Sequence, residues 1–306
     1  MNTDELYMSR CIQLAKNGIL GAKPNPMVGA CIVYGGRIIG EGYHRKCGEG
    51  HAEVNAFASV KEEDEKYLSK STIYVSLEPC SHYGKTPPCA DLIIKKGVKR
   101  VVCGCVDPFA KVQGRGIKKL RDAGIEVTVG VMEKECLELN RRFITFNTHG
   151  RPYILLKWAQ SSNGFIDNDF KPEMFSTPFT KMLSHKLRAE NDAILVGHTT
   201  EERDNPQLNV REWSGNDPER IILSHSTSIE EILRHLAEEK KQSLIVEGGS
   251  KTLNSFIEKD LWDEIRIETS PKTVKSGTLA PPLPCQAKLA TRDIYDGNII
   301  ETYIKM

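Results

Sequence analysis

At 306 residues the chain is long enough for about two domains, each able to bury a core of its own. Apolar residues make up 39% and charged residues 27%, and 42 Lys plus Arg stand against 41 Asp plus Glu, so no polycationic surface draws the chain to nucleic acid or an anionic membrane. Nine cysteines without a disulfide framework point to a reducing compartment, and with neither a basic-then-apolar start nor an uncharged apolar run near the ~20 residues of a membrane span, the cytoplasm is expected.

The first predicted element is a helix, since Leu6, Met8, Ile12, Leu14 and Ala15 recur near helical spacing after Asn2-Thr3-Asp4 and Gly18 supplies a stop. Pro24-Asn25-Pro26 makes a rigid turn into the apolar run 30–34, and Gly35-Gly36 turns that strand into a second, 37–43. Asn25 either satisfies its own turn or holds an amide at a pocket mouth. His44 closes the second strand, a place where substrate contacts gather. Val54, Phe57 and Val60 mark a helix with His51 and Glu53 at its entry. Residues 61–70 read as a solvated, charged connection. The strand 72–77 then ends on Glu78-Pro79-Cys80, and Pro87-Pro88 starts a helix with Cys89 in its first turn, where the dipole favours a thiolate.

His51 offers an imidazole nitrogen and Cys80 and Cys89 offer thiolates, a set that binds zinc and leaves a fourth tetrahedral position open, as catalytic sites do. Glu53, two residues past His51, is placed to move protons for a water there. Alone, an H-x-E is an ordinary surface pair and two cysteines are often core thiols. Together, with Pro79 before the first cysteine, they reproduce the H-x-E and P-C pattern of zinc deaminases. One alternative is a structural zinc module, in which His82 or Cys47 closes the tetrahedron. Another is a nucleic-acid base deaminase, against which the balanced charge counts.

Further on, 98–106 and 125–131 read as strands with 117–123 helical between them, and Cys103 and Cys105 alternate onto one strand face as core thiols. A helix over 133–146 leads to His149-Gly150-Arg151-Pro152, the expected boundary. The alternation to this point predicts a three-layer α/β domain. Beyond it come a strand at 153–158, a helix at 178–190, strands at 192–197 and 220–223, and a helix at 228–241. A strand at 244–246, a helix at 251–258, a strand at 264–269 and a last strand at 299–305 complete a second α/β domain. Glycine-bearing turns follow strands at Val196-Gly197 and Val246-Glu247-Gly248-Gly249, where open α/β sheets bind ligands. No GxGxxG follows a strand, so a standard dinucleotide-binding fold is not predicted.

The motifs PNPMVG, EGYH, HAEV, LEPCSHYGKTPPC and DPFAKVQGRG occur in that order, and through them residues 1–147 closely resemble the deaminase domain of the bifunctional riboflavin biosynthesis family RibD. Eight residues separate the two cysteines, where cytidine and tRNA adenosine deaminases have two, and the longer loop carries His82, Lys85 and Thr86. The resemblance implies a cytidine-deaminase-like fold with zinc on His51, Cys80 and Cys89. It implies that Glu53 carries the protons while ammonia is lost from 2,5-diamino-6-ribosylamino-4(3H)-pyrimidinone 5′-phosphate. Asn25, His44 and His82 would touch the pyrimidine, and Lys85, Thr86 and Asp107 the ribose phosphate.

Residues 151–306 resemble the family's reductase domain, which has a dihydrofolate-reductase-like fold and uses NADPH to reduce the ribose to ribityl. Lys157 and Ser161 match its K-x-x-x-S opening, Ser176, Thr177, Arg188, Thr200, Asp204, Pro206, Leu208, Arg211 and Ser224 its later pattern, and Glu247-Gly248-Gly249 its EGG turn. By that resemblance Lys157, Arg188, Leu208, Arg211 and Glu247 meet substrate, with the two arginines at the phosphate. Gln160, Met174, Thr200, Asp204, Ser224, Gly248 and Gly249 would meet NADPH. The chain departs from the family where Gln160 and Asn163 replace Ala and Asp, where Met174 replaces an aromatic, and where the segment after Ser224 is short. The alternative is a deaminase whose second domain is a scaffold or dimerisation module. A homo-oligomer is expected, with neither nucleic acid nor membrane as partner.

Overall fold

The computed structural model describes residues 2–83, 87–108, 113–224 and 226–305, and the chain divides into two units, Met1–Thr148 and His149–Met306. The first opens on α1 (Thr3–Lys16), whose start is fixed by a reciprocal cap: Glu5 N donates to Asn2 Oδ1 and Asn2 N to the Glu5 carboxylate, each at 2.9 Å. Five strands follow: β1 (Gly29–Tyr34), β2 (Arg37–Tyr43), β3 (Thr72–Val75), β4 (Arg100–Cys103) and β5 (Glu126–Val129), in the spatial order β2-β1-β3-β4-β5. β1 is antiparallel to β2 and β3, whereas β3, β4 and β5 run parallel.

Successive strand side chains face opposite ways, and this sorts two cores. Ala30, Ile32, Ile73, Val75 and Val101 meet Ala52, Phe57, Ile93 and Leu120 from α2 (Ala52–Ala58), α3 (Cys89–Lys96) and α4 (Arg115–Asp122). On the other face Cys31, Val33, Tyr74 and Val102 meet Tyr7, Met8, Cys11 and Ile12 of α1 and Cys136 of α5 (Glu133–Leu139). The result is the three-layer arrangement. Two glycines bring α2 onto β2: a Cβ at Gly40 would lie 2.6 Å from Ala56 O, and one at Gly42 2.5 Å from Ala56 N.

Three local expectations are corrected. The helix expected over 133–146 is two, because Asn140 interrupts it before α6 (Arg141–His149). Its amide is committed elsewhere, accepting from Met27 N at 2.8 Å and donating to Met27 O at 2.9 Å. The supposed solvated connection contains a 3₁₀ stretch, Glu62–Lys70, anchored by an Arg37–Asp64 ion pair and by Tyr67 stacked on Tyr34 at 4.3 Å. Cys103 and Cys105 are buried but do not share a face: β4 ends at Cys103, the chain turns, and the two thiols enter different cores.

In the second unit β6 (Tyr153–Gln160), β7 (Ala193–Gly197), β8 (Glu219–Leu223), β9 (Ser243–Val246) and β10 (Glu264–Thr269) are parallel, while β11 (Ala287–Tyr295) and β12 (Asn298–Lys305) form an antiparallel hairpin on β10. The order is β11-β12-β10-β6-β9-β7-β8. Ile154, Leu156, Leu195, Leu244 and Val246 meet α9 (Ile229–Glu238) and α10 (Ser250–Glu258). Leu155, Ile194, Val196 and Ile245 meet Leu187 of α7 (Pro178–Glu190) on the opposite face. Two elements were not predicted. α8 (His198–Asp204) has no buried residue, so it carries no apolar stripe, and β11 is exposed along nearly its whole length, so it carries no alternation. Among the described residues no helix is long and apolar enough to cross a membrane.

Candidate active sites

Three elements bring the first site together. His51 is extended and precedes α2, accepting from Asn55 N at 3.0 Å, so the helix starts on it and places Glu53 in its first turn. Cys80 follows β3, and Cys89 opens α3. The Cys89 N–H donates to Cys80 Sγ at 3.2 Å and the Ala90 N–H to Cys80 O at 3.1 Å, which ties the start of α3 to the end of β3 despite the residues between.

His51 Nδ1 lies 3.6 Å from Cys80 Sγ and 3.3 Å from Cys89 Sγ, and all three ligand atoms lie within 4.8 Å of one another. Ligands sharing one tetrahedral zinc at ~2.0–2.3 Å are about 3.5 Å apart, so the set fits that ion. Among the described residues the group holds these three and no fourth His, Cys, Asp or Glu. His82 and Cys47 are both exposed and outside it, so the closed tetrahedron of a structural module is not formed. Cys80 is drawn down to about 4, first by the hydrogen bond from Cys89, while that same bond pushes Cys89 up. A bound cation would hold both sulfurs as thiolates.

Glu53 is 3% exposed, and burial, reinforced by the Cys80 thiolate, pushes its carboxyl up to about 7. His44 is buried with its ring edge-on to His51, centroids 5.4 Å apart. Its Nδ1 lies 3.2 Å from Gly50 O and its Nε2 3.1 Å from Asn25 Nδ2. A carbonyl only accepts, so Nδ1 carries the proton, Nε2 accepts from the Asn25 amide, and Asn25 keeps Oδ1 as an acceptor. Burial lowers the His44 pKa, which favours this neutral form. Asp107 is buried beyond β4 with its N–H on Glu78. Lys85 and Thr86 lie outside the described residues.

In the second unit most of the expected residues lie at or beyond the carboxyl ends of parallel strands. Lys157 and Gln160 are on β6, Thr200 and Asp204 on α8 after β7, Ser224 after β8, and Glu247, Gly248 and Gly249 after β9. Arg188 of α7 grips Glu247 with two bonds, Nε at 3.0 Å and Nη2 at 2.7 Å, and donates from Nη1 to Asn209 O at 3.2 Å. Both partners are largely buried, so Arg188 braces Glu247 and is not an open phosphate clamp. Burial opposes the Glu247 charge, yet Arg188 and Lys157 outweigh it and hold the carboxyl below its ordinary range. The register of β6 on β9 ends with Leu156 beside Val246, the residues that precede Lys157 and Glu247.

Arg211 is exposed and bonded to Asn209 Oδ1 at 2.7 Å. The Leu208 side chain is core, packed with Leu155, Ile194, Val196 and Ile245, so only its main chain can meet a ligand. Gln160 accepts from Trp158 Nε1 at 2.9 Å and donates to Thr269 Oγ1 at 3.3 Å. Met174 is exposed, Ser224 bonds Ser226, and Asp204 pairs with Arg203. At Gly249 a Cβ would lie 2.9 Å from Thr200 Oγ1, Gly248 has φ +114°, and α10 begins at Ser250 without a side-chain cap. Bare main chain followed by uncapped N–H groups suits a phosphate-bearing nucleotide.

Nothing in the sequence pattern singles out Asp167. It is fully buried and accepts from Thr278 N at 2.8 Å, Thr278 Oγ1 at 2.6 Å and Arg203 Nη1 at 3.0 Å, tying the segment after β6 to α8.

Residues 1–105 match the family model described as the cytidine and deoxycytidylate deaminase zinc-binding region, and residues 152–294 match the RibD C-terminal domain. The chain is 37% identical over 319 residues to the riboflavin biosynthesis protein RibD of Aquifex aeolicus (strain VF5), an alignment covering 90% of this chain and 88% of that one. It is 34% identical over 331 residues to the RibD of Actinobacillus pleuropneumoniae, covering 92% and 87%. Among solved structures it is similar to the diaminohydroxyphosphoribosylaminopyrimidine deaminase/5-amino-6-(5-phosphoribosylamino)uracil reductase of Thermotoga maritima, with TM-score 0.92, 34% identity and 99% of each chain covered. It is also similar to Acinetobacter baumannii RibD, with TM-score 0.88, 29% identity and 99% of each chain covered.

Proposed function

The chain belongs to the RibD family of riboflavin biosynthesis, and from that premise we propose which of its residues carry the family's two reactions. It is a bifunctional enzyme, with a zinc-binding cytidine-deaminase-like unit and a dihydrofolate-reductase-like unit. The first reaction is hydrolytic deamination of the diaminohydroxyphosphoribosylaminopyrimidine, and the second reduces the ribosyl group of the product to ribityl.

The observation that carries the deaminase reading is the convergence of one nitrogen and two sulfurs within 4.8 Å beside a buried carboxylate. His51, Cys80 and Cys89 would hold zinc, which would supply a Lewis acid that lowers the pKa of a water towards neutrality. Glu53 does the proton work. It takes a proton from the water as oxygen bonds to the amino-bearing ring carbon, then delivers one to nitrogen as the C–N bond breaks, so ammonia leaves and the ring keeps the oxygen. Its burial, which raises the carboxyl, suits a group that must accept and donate within one cycle. Asn25, oriented by neutral His44, offers Oδ1 to a donor on the pyrimidine edge. His82, Lys85, Thr86 and Asp107 complete the substrate contacts in this reading.

In the second unit Gly248, Gly249 and Thr200 would hold NADPH, which would supply the hydride for the reduction. Gln160, Met174, Asp204 and Ser224 are assigned to the same cofactor. Glu247 is assigned to substrate in this reading, and Arg188 keeps it ionised. Because Glu247 matches the Arg188 charge, Lys157 and Arg211 are the cations assigned to the substrate phosphate, and Leu208 adds a main-chain contact.

The test is a paired assay on one preparation, with ammonia release and NADPH oxidation followed separately. Both are expected. Ammonia release without NADPH binding or oxidation would reduce the second unit to a scaffold, and absence of ammonia release would sink the assignments in the first.

A further inference from the structure

Glu78 is 5% exposed, lies two residues before Cys80, and has no part in the proton chemistry above. Its carboxylate accepts four main-chain hydrogen bonds. Oε2 takes Asp107 N at 3.2 Å and Gly114 N at 2.9 Å, and Oε1 takes Gly116 N at 2.8 Å and Ile117 N at 3.3 Å. Its own N–H donates to Cys105 O at 3.0 Å. A carboxylate has about four acceptor positions, so the group is filled by N–H donors. The donors come from both ends of the connection between β4 and α4. Gly116 and Ile117 are the second and third residues of α4, whose N-cap is Gly114 and offers no side chain, so Glu78 takes the N–H groups a capping side chain would take. The same turn is pressed on the neighbouring residue: a Cβ at Gly116 would lie 2.0 Å from Pro79 O.

We propose that Glu78 is a positioning residue of the deaminase, fixing Asp107 and the Gly114–Gly116 turn against the strand end that carries Cys80. This rests on the reading of Asp107 as a substrate contact. Glu78 acts through that contact and touches neither substrate nor metal. Glu78→Gln keeps size and shape but replaces one acceptor oxygen with an amide N–H that faces N–H donors, so one end of the connection is released. Gly116→Ala loosens the same turn by a different route, driving it off Pro79 with the carboxylate intact.

The experiment uses the full-length, zinc-loaded protein and measures zinc content, ammonia release against substrate concentration, and reduction of separately supplied deaminated product. Glu78→Gln is expected to keep zinc and the reductase rate while kcat/KM for deamination falls on the order of 10- to 100-fold, mostly through KM, because the misplaced group binds rather than reacts. Gly116→Ala is expected to reproduce that KM-led loss. A normal deamination KM in either variant overturns the proposal, as does loss of zinc with the activity. A wild-type protein that releases no ammonia would instead refute the deaminase assignments on which the proposal stands.

Discussion

Glu53, the proposed proton carrier, is buried, and the role assigned to it is separable from that proposed for His51, Cys80 and Cys89 beside it. Glu53→Gln preserves volume and takes no ligand from the metal, so zinc content measured by atomic absorption is expected to stay unchanged while ammonia release falls by about 10²- to 10⁴-fold. Zinc loss with the activity would place Glu53 among the ligands instead. The Arg188–Glu247 pair yields a prediction of stability. Arg188→Ala leaves a buried carboxylate without its partner, and denaturant unfolding should show a loss of about 3–5 kcal/mol. Glu247 in the intact pair has a folded pKa below its unfolded value of 4.5, so its contribution is present above that value and is lost as pH falls through the lower folded one. In Arg188→Ala only Lys157 and His185 still oppose burial, so the folded pKa rises and the stability lost as pH falls through the carboxylate range shrinks. A variant whose stability keeps the wild-type pH dependence would contradict this. The sequence displays His51, Glu53, Cys80 and Cys89 because their chemistry is carried by side chains at fixed short spacings. It hides Glu78, whose partners are main-chain N–H groups 29 to 39 residues away. Leu208 shows the converse, since a motif match gives the position without saying that its side chain belongs to the core.

At the scale of elements, α2 carries Glu53 and begins at His51, the proposed proton carrier and metal ligand, so its seat on β2 bears on the proposed site. A Cβ at Gly42 would lie 2.5 Å from Ala56 N and 2.7 Å from Asn55 C, and main chain cannot swing aside as a side chain can. Gly42→Ala is therefore expected to shift α2, to cost about 1–3 kcal/mol as overpacking does, and to depress ammonia release while reduction of supplied product is unchanged. Wild-type deamination in that variant would show that α2 tolerates the displacement. The elements readable in advance were continuous apolar strands buried on both faces, such as β1 and β3, and a helix with one buried stripe, α9. β11 was not readable because an edge strand exposed on both faces has no alternation, and α8 was not because nothing on it is buried. The break at Asn140 is set by Met27, 113 residues away, which no local window contains.

For the whole molecule, length and repeated strand–helix alternation pointed to two α/β domains, and the chain forms two compact units, Met1–Thr148 and His149–Met306. Each unit has cores of its own, and each proposed site draws all its residues from one unit: His51, Glu53, Cys80 and Cys89 from the first, and Lys157, Arg188, Glu247 and the Gly248-Gly249 turn from the second. The two chemistries should therefore be separable without cutting the chain. Treatment with a zinc chelator is expected to abolish ammonia release, since the only His/Cys/Cys group among the described residues lies in the first unit. The same sample, given the deaminated product and NADPH, is expected to reduce it at the untreated rate, and restoring zinc should bring back ammonia release alone. Reduction lost in parallel with the metal would mean that the second site depends on the first, and its residues would then have to be sought beyond the unit that holds Glu247.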